Sequence, residues 1–272
     1  MVFGEIDAAW SLWDRFRKFW RTNREPAPDS VESRFVKLFE DHGVHRNQIP
    51  RLLASDLKLS DLRDDVTLLA ALSDSHLAAA CELFGVRREW LEGESPRMYE
   101  TRWCYKAPSN LLTELSRLGS PPEIAPLRAV ATSLPLDNRS SVGHRVELIL
   151  VETAGWLGEK EIPRFRVFSD GFNWIYEESR LQIKAMLRAY GRPVPLYEVT
   201  TKQIENLYAG YIVPAALLRG SLCTSPSLED YCMRHDENRH AKDVGELHQV
   251  YEYMRDHHLD TRWGGGRTAG ED

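Results

Sequence analysis

Residues 77–93, LAAACELFGVRREWLEG, decide the fold of the first third of the chain. Apolar residues recur there at helical spacing as far as Phe84. Gly85 follows at the position where a helix would end, because glycine readily adopts the left-handed conformation needed there. The next residues predict a short second helix, in which Trp90 and Leu91 fold back onto the first. The stretch therefore predicts two closely packed helices.

Further helices are predicted upstream of this stretch. An apolar stripe that includes Phe35 and Phe39 indicates a first helix, which begins at Ser30 and ends at Gly43. The other predicted helices cover residues 48–54, capped by Asn47, residues 59–72 and residues 75–84. Residues 31–96 are therefore expected to form a five-helix domain.

The closing helices of this domain resemble those of a known family. The motif consists of Leu77, Ala80, Phe84-Gly85-Val86, Trp90-Leu91 and Gly93. It resembles the end of the helix-turn-helix domain of Cro-like (XRE-type) phage repressors, over about residues 31–96. The resemblance implies a transcriptional regulator that binds double-stranded DNA as a homodimer, with residues 59–72 in the major groove. The implied DNA contacts are Arg46, Arg51, Lys58, Ser60, Arg63 and Thr67.

The charge of the same region favours a different partner. Residues 31–96 contain eight Arg and Lys residues against twelve Asp and Glu residues, which gives a net charge of −4. DNA-binding domains gain much of their affinity by neutralising phosphates, and the predicted third helix carries Asp61, Asp64 and Asp65. The alternative prediction is a degenerate helix-turn-helix domain that serves as a protein–protein interaction module.

Residues 7–21 combine aromatic and basic side chains ahead of this domain. Four aromatic residues share one helical stripe: Trp10, Trp13, Phe16 and Trp20. Four basic residues lie among them: Arg15, Arg17, Lys18 and Arg21. Such a segment suits a membrane surface or a partner protein, and packing on this chain's own core or across a homodimer is the other interpretation. Residues 1–30 are therefore expected to form an amphipathic helix and a linker.

The remainder of the chain predicts an α+β fold, in which the all-α domain is followed by a small α+β module. Residues 97–143 are expected to connect the two, with one helix over residues 110–118. The module, residues 144–220, is predicted to dimerise or to sense a signal. Its predicted elements are strands at 146–151 and 164–168 joined by a turn at 155–158, a helix over 172–190, an edge strand at 194–199 and a helix capped by Thr201. Residues 221–272 are expected to form a polar tail that includes a helix.

No catalytic residue, metal site or cofactor is predicted. Possible zinc ligands have spacings that fit no finger or ribbon pattern: Cys223, Cys232, His235, His240 and His248. Ser169 and Lys184 lack the surroundings of a self-cleaving repressor, and Glu177 and Glu178 are expected on a solvated helix face. Aromatic residues of the module are interpreted as core in preference to a ligand pocket: Trp156, Phe165, Phe168, Phe172, Trp174, Tyr176 and Tyr190.

The composition of the chain limits the class of protein to which it can belong. The chain has 272 residues, of which 42% are hydrophobic and 10% aromatic, enough for a buried core. It contains no run of eighteen apolar residues, so no membrane span is expected. The four cysteines show no disulfide spacing and the N-terminus shows no export signal, so the cytoplasm is the expected location.

Overall fold

The described part of the first third of the chain is mainly helical. The computed structural model describes residues 30–100, 102–118, 126–132, 134, 136, 144–218, 228 and 241–259. Its first helices are α1 (Val31–Asp41), α2 (Ile49–Leu53), α3 (Asp65–Ala71), α4 (Asp74–Phe84) and α5 (Arg88–Leu91). We call α1–α5 the helical segment.

The core of the helical segment is aromatic. Phe35 and Phe39 occupy the buried face of α1, and the ring of Phe39 meets Phe84 of α4 edge to face, with 5.0 Å between centroids. Trp90 of α5 is almost fully buried. Its carbonyl oxygen accepts a hydrogen bond from Arg34 at 2.8 Å, which holds α5 against α1. The predicted first, fourth and fifth helices are thus confirmed.

The second predicted helix is only partly correct. Residues 46–48 form one turn of 3₁₀-helix, and α2 follows over Ile49–Leu53. His45, not the predicted Asn47, is the cap, because its side chain accepts a hydrogen bond from the N–H of Asn47. Ala54 then adopts a left-handed conformation with φ of 47°, which ends α2.

Helix α6 (Ser109–Ser116) follows the helical segment, and a four-stranded mixed sheet follows α6 in the chain. The strands are β1 (Leu127–Ala131), β2 (Arg145–Leu157), β3 (Lys160–Asn173) and β4 (Leu196–Glu198). Their order is β3-β2-β1-β4, with β1 antiparallel to β2 and parallel to β4. The sequence did not predict β1, which lies in the segment interpreted as a connector. Strand β4 is at an edge of this sheet, as Pro195 just before it predicted.

Helices cover both faces of the sheet, so the inner strands are apolar on both sides. Along β2, Leu148 and Leu150 pack on one face and Ile149 on the other, following the two-residue period of a strand. The first face is covered by α6 and α7 (Glu177–Tyr190), and the second by α8 (Thr201–Tyr208) and α9 (Pro214–Leu218). The predicted α+β fold class is therefore correct.

The hairpin formed by β2 and β3 is longer than predicted. The predicted turn at residues 155–158 is wrong, because Gly155 pairs with Ile162 inside the ladder and the chain reverses at residues 158 and 159. The end of the hairpin extends beyond strand β1, and Leu157 and Ile162 are buried in the same cluster as the helical segment. The sheet and the helical segment therefore share a hydrophobic core.

Two predicted elements near the C-terminus differ in extent. Helix α7 begins at Glu177 and not at residue 172, because Phe172 still belongs to β3. Helix α10 (Ala241–Asp256) lies in the predicted polar tail and packs along α7. Glu246 of α10 is buried, and its carboxylate accepts hydrogen bonds from Arg180 and Lys184 of α7, the latter at 3.1 Å.

Candidate interaction surface on the helical segment

The connection between α2 and α3 has its own defined conformation. It runs over residues 54–64, eleven residues, whereas the turn of a helix-turn-helix motif has about three or four. Leu57 and Leu62 anchor it in the core. Asp61 accepts a hydrogen bond from the N–H of Lys58 at 2.9 Å, which closes a tight turn. The loop is thus held by its own buried leucines and hydrogen bonds.

Helix α3 starts later than its sequence suggested. The prediction of a helix over residues 59–64 is wrong, because Asp64 caps α3 and accepts a hydrogen bond from the N–H of Thr67 at 2.8 Å. Hydrogen bonds from the backbone and hydroxyl of Thr67, together with Arg63, lower the pKa of Asp64 to about 2. Ser60 and Arg63 consequently lie in the loop and not on the helix predicted to enter the major groove.

Arg46 faces the protein's own interior. Its Nε donates to the carbonyl oxygen of Leu62 at 2.7 Å, and a terminal nitrogen lies 2.8 Å from the carboxylate of Asp65. The side chain is only 23% exposed. Arg46 therefore links the loop to the start of α3 by a hydrogen bond and an ion pair.

The other predicted DNA contacts are spread over the same region. Arg63 is paired with Asp64 at 3.0 Å, and the hydroxyl of Thr67 donates to the same carboxylate at 2.8 Å. Ser60 donates to the carboxylate of Asp61 at 3.1 Å. The remaining two, Arg51 and Lys58, are exposed. The six predicted residues thus share one region, but four of them are engaged with groups of this chain.

Large aliphatic side chains are exposed beside these polar residues. Val66 is 82% exposed and Leu69 54% exposed, and their spacing of three residues puts them on one face of α3. Leu59, in the loop that leads to α3, is 66% exposed. We call Leu59, Val66 and Leu69 the apolar surface.

The apolar surface was not predicted, although the sequence contains a signal for it. Helix α3 reads DVTLLAA, which contains more apolar side chains than one buried stripe of a seven-residue helix can accommodate. Only Leu68 of this helix is buried.

Carboxylates outnumber basic residues within the segment that carries the apolar surface, and two of them pair with arginines from outside it. Residues 54–74 contain five aspartates against two basic residues, Lys58 and Arg63. The aspartates are Asp56, Asp61, Asp64, Asp65 and Asp74. Asp56 is hydrogen-bonded to the ring of His76 at 2.7 Å, and this bond lowers the pKa of Asp56. Asp56, like Asp64, is therefore held in the charged form near neutral pH.

A second polar cluster lies inside the module. Glu147 of β2 is completely buried, and it accepts hydrogen bonds from Arg145 and from the N–H of Gly171, the latter at 3.2 Å. Burial raises the pKa of Glu147, against the opposing effect of Arg145. The guanidinium of Arg145 lies 5.0 Å from the ring centroid of Tyr208. These contacts tie β2, β3 and α8 together.

The remaining candidates do not converge on a site. The aromatic residues divide: Phe165 lies on one face of the sheet, Phe168, Phe172, Trp174 and Tyr190 on the other, and Trp156 and Tyr176 are exposed. Lys184 pairs with Glu246, and Glu177 and Glu178 are exposed on the first turn of α7. The side chain of Ser169 lies outside the described residues.

The zinc candidates are not assembled by the described structure. His248 is exposed on α10, and Cys223, Cys232, His235 and His240 lie outside the described residues, as do residues 7–21. Among the residues that the structure describes, no group of three His, Cys, Asp or Glu side chains is arranged to hold a metal ion.

Within the described ranges no single helix is long and apolar enough to cross a membrane; α3 and α4 meet that criterion only as a pair bent by 100°. Comparison with known proteins gives no match to a family model, to a curated protein or to a solved structure.

Proposed function

We propose that the helical segment is a protein-docking module, and that its partner is a basic amphipathic segment of another protein. The observation that carries the proposal is the exposure of Leu59, Val66 and Leu69 within an acidic region.

The location of the exposed aliphatic residues supports a docking role. Single exposed apolar side chains are common on any protein and need no explanation, whereas a concentration of them marks an interaction site. In the part of the chain that the structure describes, the large exposed aliphatic side chains are these three, within eleven residues of one another. The other large exposed apolar residues are aromatic and lie elsewhere: Trp103, Trp156, Tyr176 and Tyr251.

Charge supports a basic partner. A second copy docked by the same surface would bring aspartates against aspartates, which electrostatic repulsion disfavours. A partner that presents Lys or Arg around an apolar stripe would meet opposite charges at the rim and apolar contact at the centre. The favoured occupant is therefore a basic segment and not a homodimer related through this surface.

Duplex DNA is the second candidate, in keeping with the Cro-like resemblance. The exposed cations Arg51 and Lys58 favour it, because they are available to phosphates. The eleven-residue connection and the exposed apolar face of α3 disfavour it. The two candidates predict opposite outcomes in one experiment.

The experiment is a binding selection on the full-length chain. Random peptides of about 20 residues, long enough for several helical turns, are displayed on phage, and a random duplex DNA pool is offered in a parallel arm. We expect basic amphipathic peptides to be enriched. We also expect the double variant Val66→Ser, Leu69→Ser to bind them about tenfold more weakly, in line with the loss of two apolar contacts.

Trp103→Ser supplies the matched control, since Trp103 is also exposed and apolar but lies outside the surface. Its affinity for the peptides is expected to match that of the unmodified chain. The proposal is overturned if no peptide depends on Val66 and Leu69. It is replaced by the DNA candidate if a duplex is enriched whose affinity falls steeply between about 50 and 200 mM salt.

A further inference from the structure

We propose that residues 7–21 of the same chain occupy the apolar surface and regulate the access of other proteins to it. The inference rests on the proposed function, because it assumes that the apolar surface is a docking surface. It adds the identity of an internal competitor for that surface.

The chemistry of residues 7–21 complements the surface. The segment contains an aromatic set (Trp10, Trp13, Phe16 and Trp20) and a basic set (Arg15, Arg17, Lys18 and Arg21). No acidic residue occurs between residues 15 and 21. Large aromatic side chains can cover exposed Val and Leu side chains, while the basic residues meet the aspartates at the rim. The segment therefore has the two properties required of an occupant.

The position of α1 brings the segment to the correct part of the molecule. The hydroxyl of Ser33, in the first turn of α1, lies 3.4 Å from the carboxylate of Asp65, in the first turn of α3. The chain that precedes Ser30 consequently joins the described structure beside the start of α3. The point at which the segment is attached is therefore next to the acidic rim.

The linker is long enough for the segment to reach the surface. Residues 22–29 are eight residues, and an extended chain of that length spans about 26–29 Å. Helix α3, with its seven residues, is only about 10 Å long. A linker of this length also gives an effective concentration on the order of millimolar, so a weak contact is sufficient to occupy the surface.

The first experiment locates the segment by photo-crosslinking in the full-length chain. A p-benzoylphenylalanine residue replaces Val66, and the crosslinked peptides are identified by mass spectrometry. We expect crosslinks to residues 7–21 from position 66. The same amino acid in place of Trp103, which is exposed elsewhere, should not produce them.

Mixing isotopically heavy and light chains distinguishes crosslinks within one chain from crosslinks between two copies. We expect each crosslink to join two heavy or two light peptides. Mixed crosslinks would overturn the proposal in favour of exchange between copies, and an absence of crosslinks to residues 7–21 would overturn it outright.

The second experiment measures competition. The variant Arg15→Glu, Arg17→Glu, Lys18→Glu should bind a selected basic peptide about tenfold more tightly, as expected if the surface is unoccupied in only one molecule in ten. Arg24→Glu, which reverses a charge outside the segment, is the matched control and should leave the affinity unchanged. An unchanged affinity in the triple variant would contradict internal competition while leaving the docking function itself intact. A lack of any peptide that needs Val66 would instead contradict the docking function.

Discussion

At the scale of single residues, burial determines the chemistry of His42. Its ring lies between Phe84 of α4 and Phe165 of β3, with centroid distances of 4.1 and 5.5 Å. Its Nδ1 donates to the carbonyl oxygen of Leu38 at 2.7 Å, one turn earlier in the chain. Burial lowers the pKa of His42 to about 4, so the folded protein keeps the ring neutral at the junction of the helical segment and the sheet.

We predict that the free energy of unfolding falls as the pH is lowered from about 6.5 to about 4. In this window the unfolded chain binds a proton at His42 and the folded chain does not, so stability rises with pH. The full difference is on the order of 3 kcal/mol. Urea unfolding at a series of pH values should show this dependence in the unmodified chain and a weaker one in His42→Phe. Equal slopes for the two proteins would show that His42 is not responsible.

Single residues also explain the limits of the predicted DNA site. Arg46, Arg51, Lys58, Ser60, Arg63 and Thr67 were selected because their side chains are able to contact phosphates or bases. A sequence does not reveal which cations are already engaged, and Arg46 is bound to Leu62 and Asp65. The exposed Val66 and Leu69 were missed because apolar residues at helical spacing are ordinarily buried.

At the scale of elements, the turn that follows α8 requires a glycine. Gly210 has a φ of +69°, and a Cβ at this position would lie 2.4 Å from Nε1 of Trp90 and 2.8 Å from the carbonyl oxygen of Pro96. Because Trp90 belongs to α5, this close approach joins the helical segment to the module. The requirement for glycine after α8 is therefore set by neighbours more than a hundred residues away in the sequence.

We predict that Gly210→Ala destabilises the protein by about 2–4 kcal/mol. Roughly 1 kcal/mol of this comes from the left-handed backbone and the rest from overpacking against Trp90. Gly158→Ala is the matched control, since Gly158 has a φ of +65° but no atom within 4 Å of its Cβ position. Chemical denaturation should show a loss of only about 1 kcal/mol for the control. Equal losses for the two variants would mean that contact with Trp90 is unimportant.

At the scale of the whole molecule, the β2–β3 hairpin connects two parts that the sequence analysis treated as separate domains. Leu157 and Ile162 lie at its outer end and are buried in the core of the helical segment. Gly155 approaches Leu52 of α2 in the same region. A Cβ added to this glycine would lie 3.4 Å from Cδ1 of Leu52. The stability of the helical segment is therefore expected to depend on the sheet.

We predict that Ile162→Ala lowers the free energy of unfolding by about 2–5 kcal/mol, through loss of apolar contacts and formation of a cavity. Because the core is shared, unfolding should remain a single transition. Hydrogen exchange should show the amides of α1 and α7 losing protection to a similar extent. Loss of protection in α1 alone would indicate that the helical segment unfolds independently.

Local sequence patterns were sufficient to predict several helices. Helices α1, α4 and α5 were predicted from their apolar stripes, and two of them also from the glycines at their ends. Both signals act over a few residues, so a short segment is enough to show them. The start of α3 was misplaced because Asp64 competes with the apolar pattern of residues 59–72 by capping the helix. Strand β1 was missed because LRAVA becomes a strand by pairing with β2 and β4 on either side.

The sequence by itself determined the α+β class, the helical character of residues 31–91 and the acidic character of residues 31–96, since these depend on composition and on spacing along a short stretch. Tertiary structure alone decided that the hairpin enters the helical core, that Arg46 turns inward and that Val66 and Leu69 remain exposed. The physical reason is that burial and pairing depend on groups distant in sequence, and hydrophobicity does not specify which apolar face finds a partner within the chain.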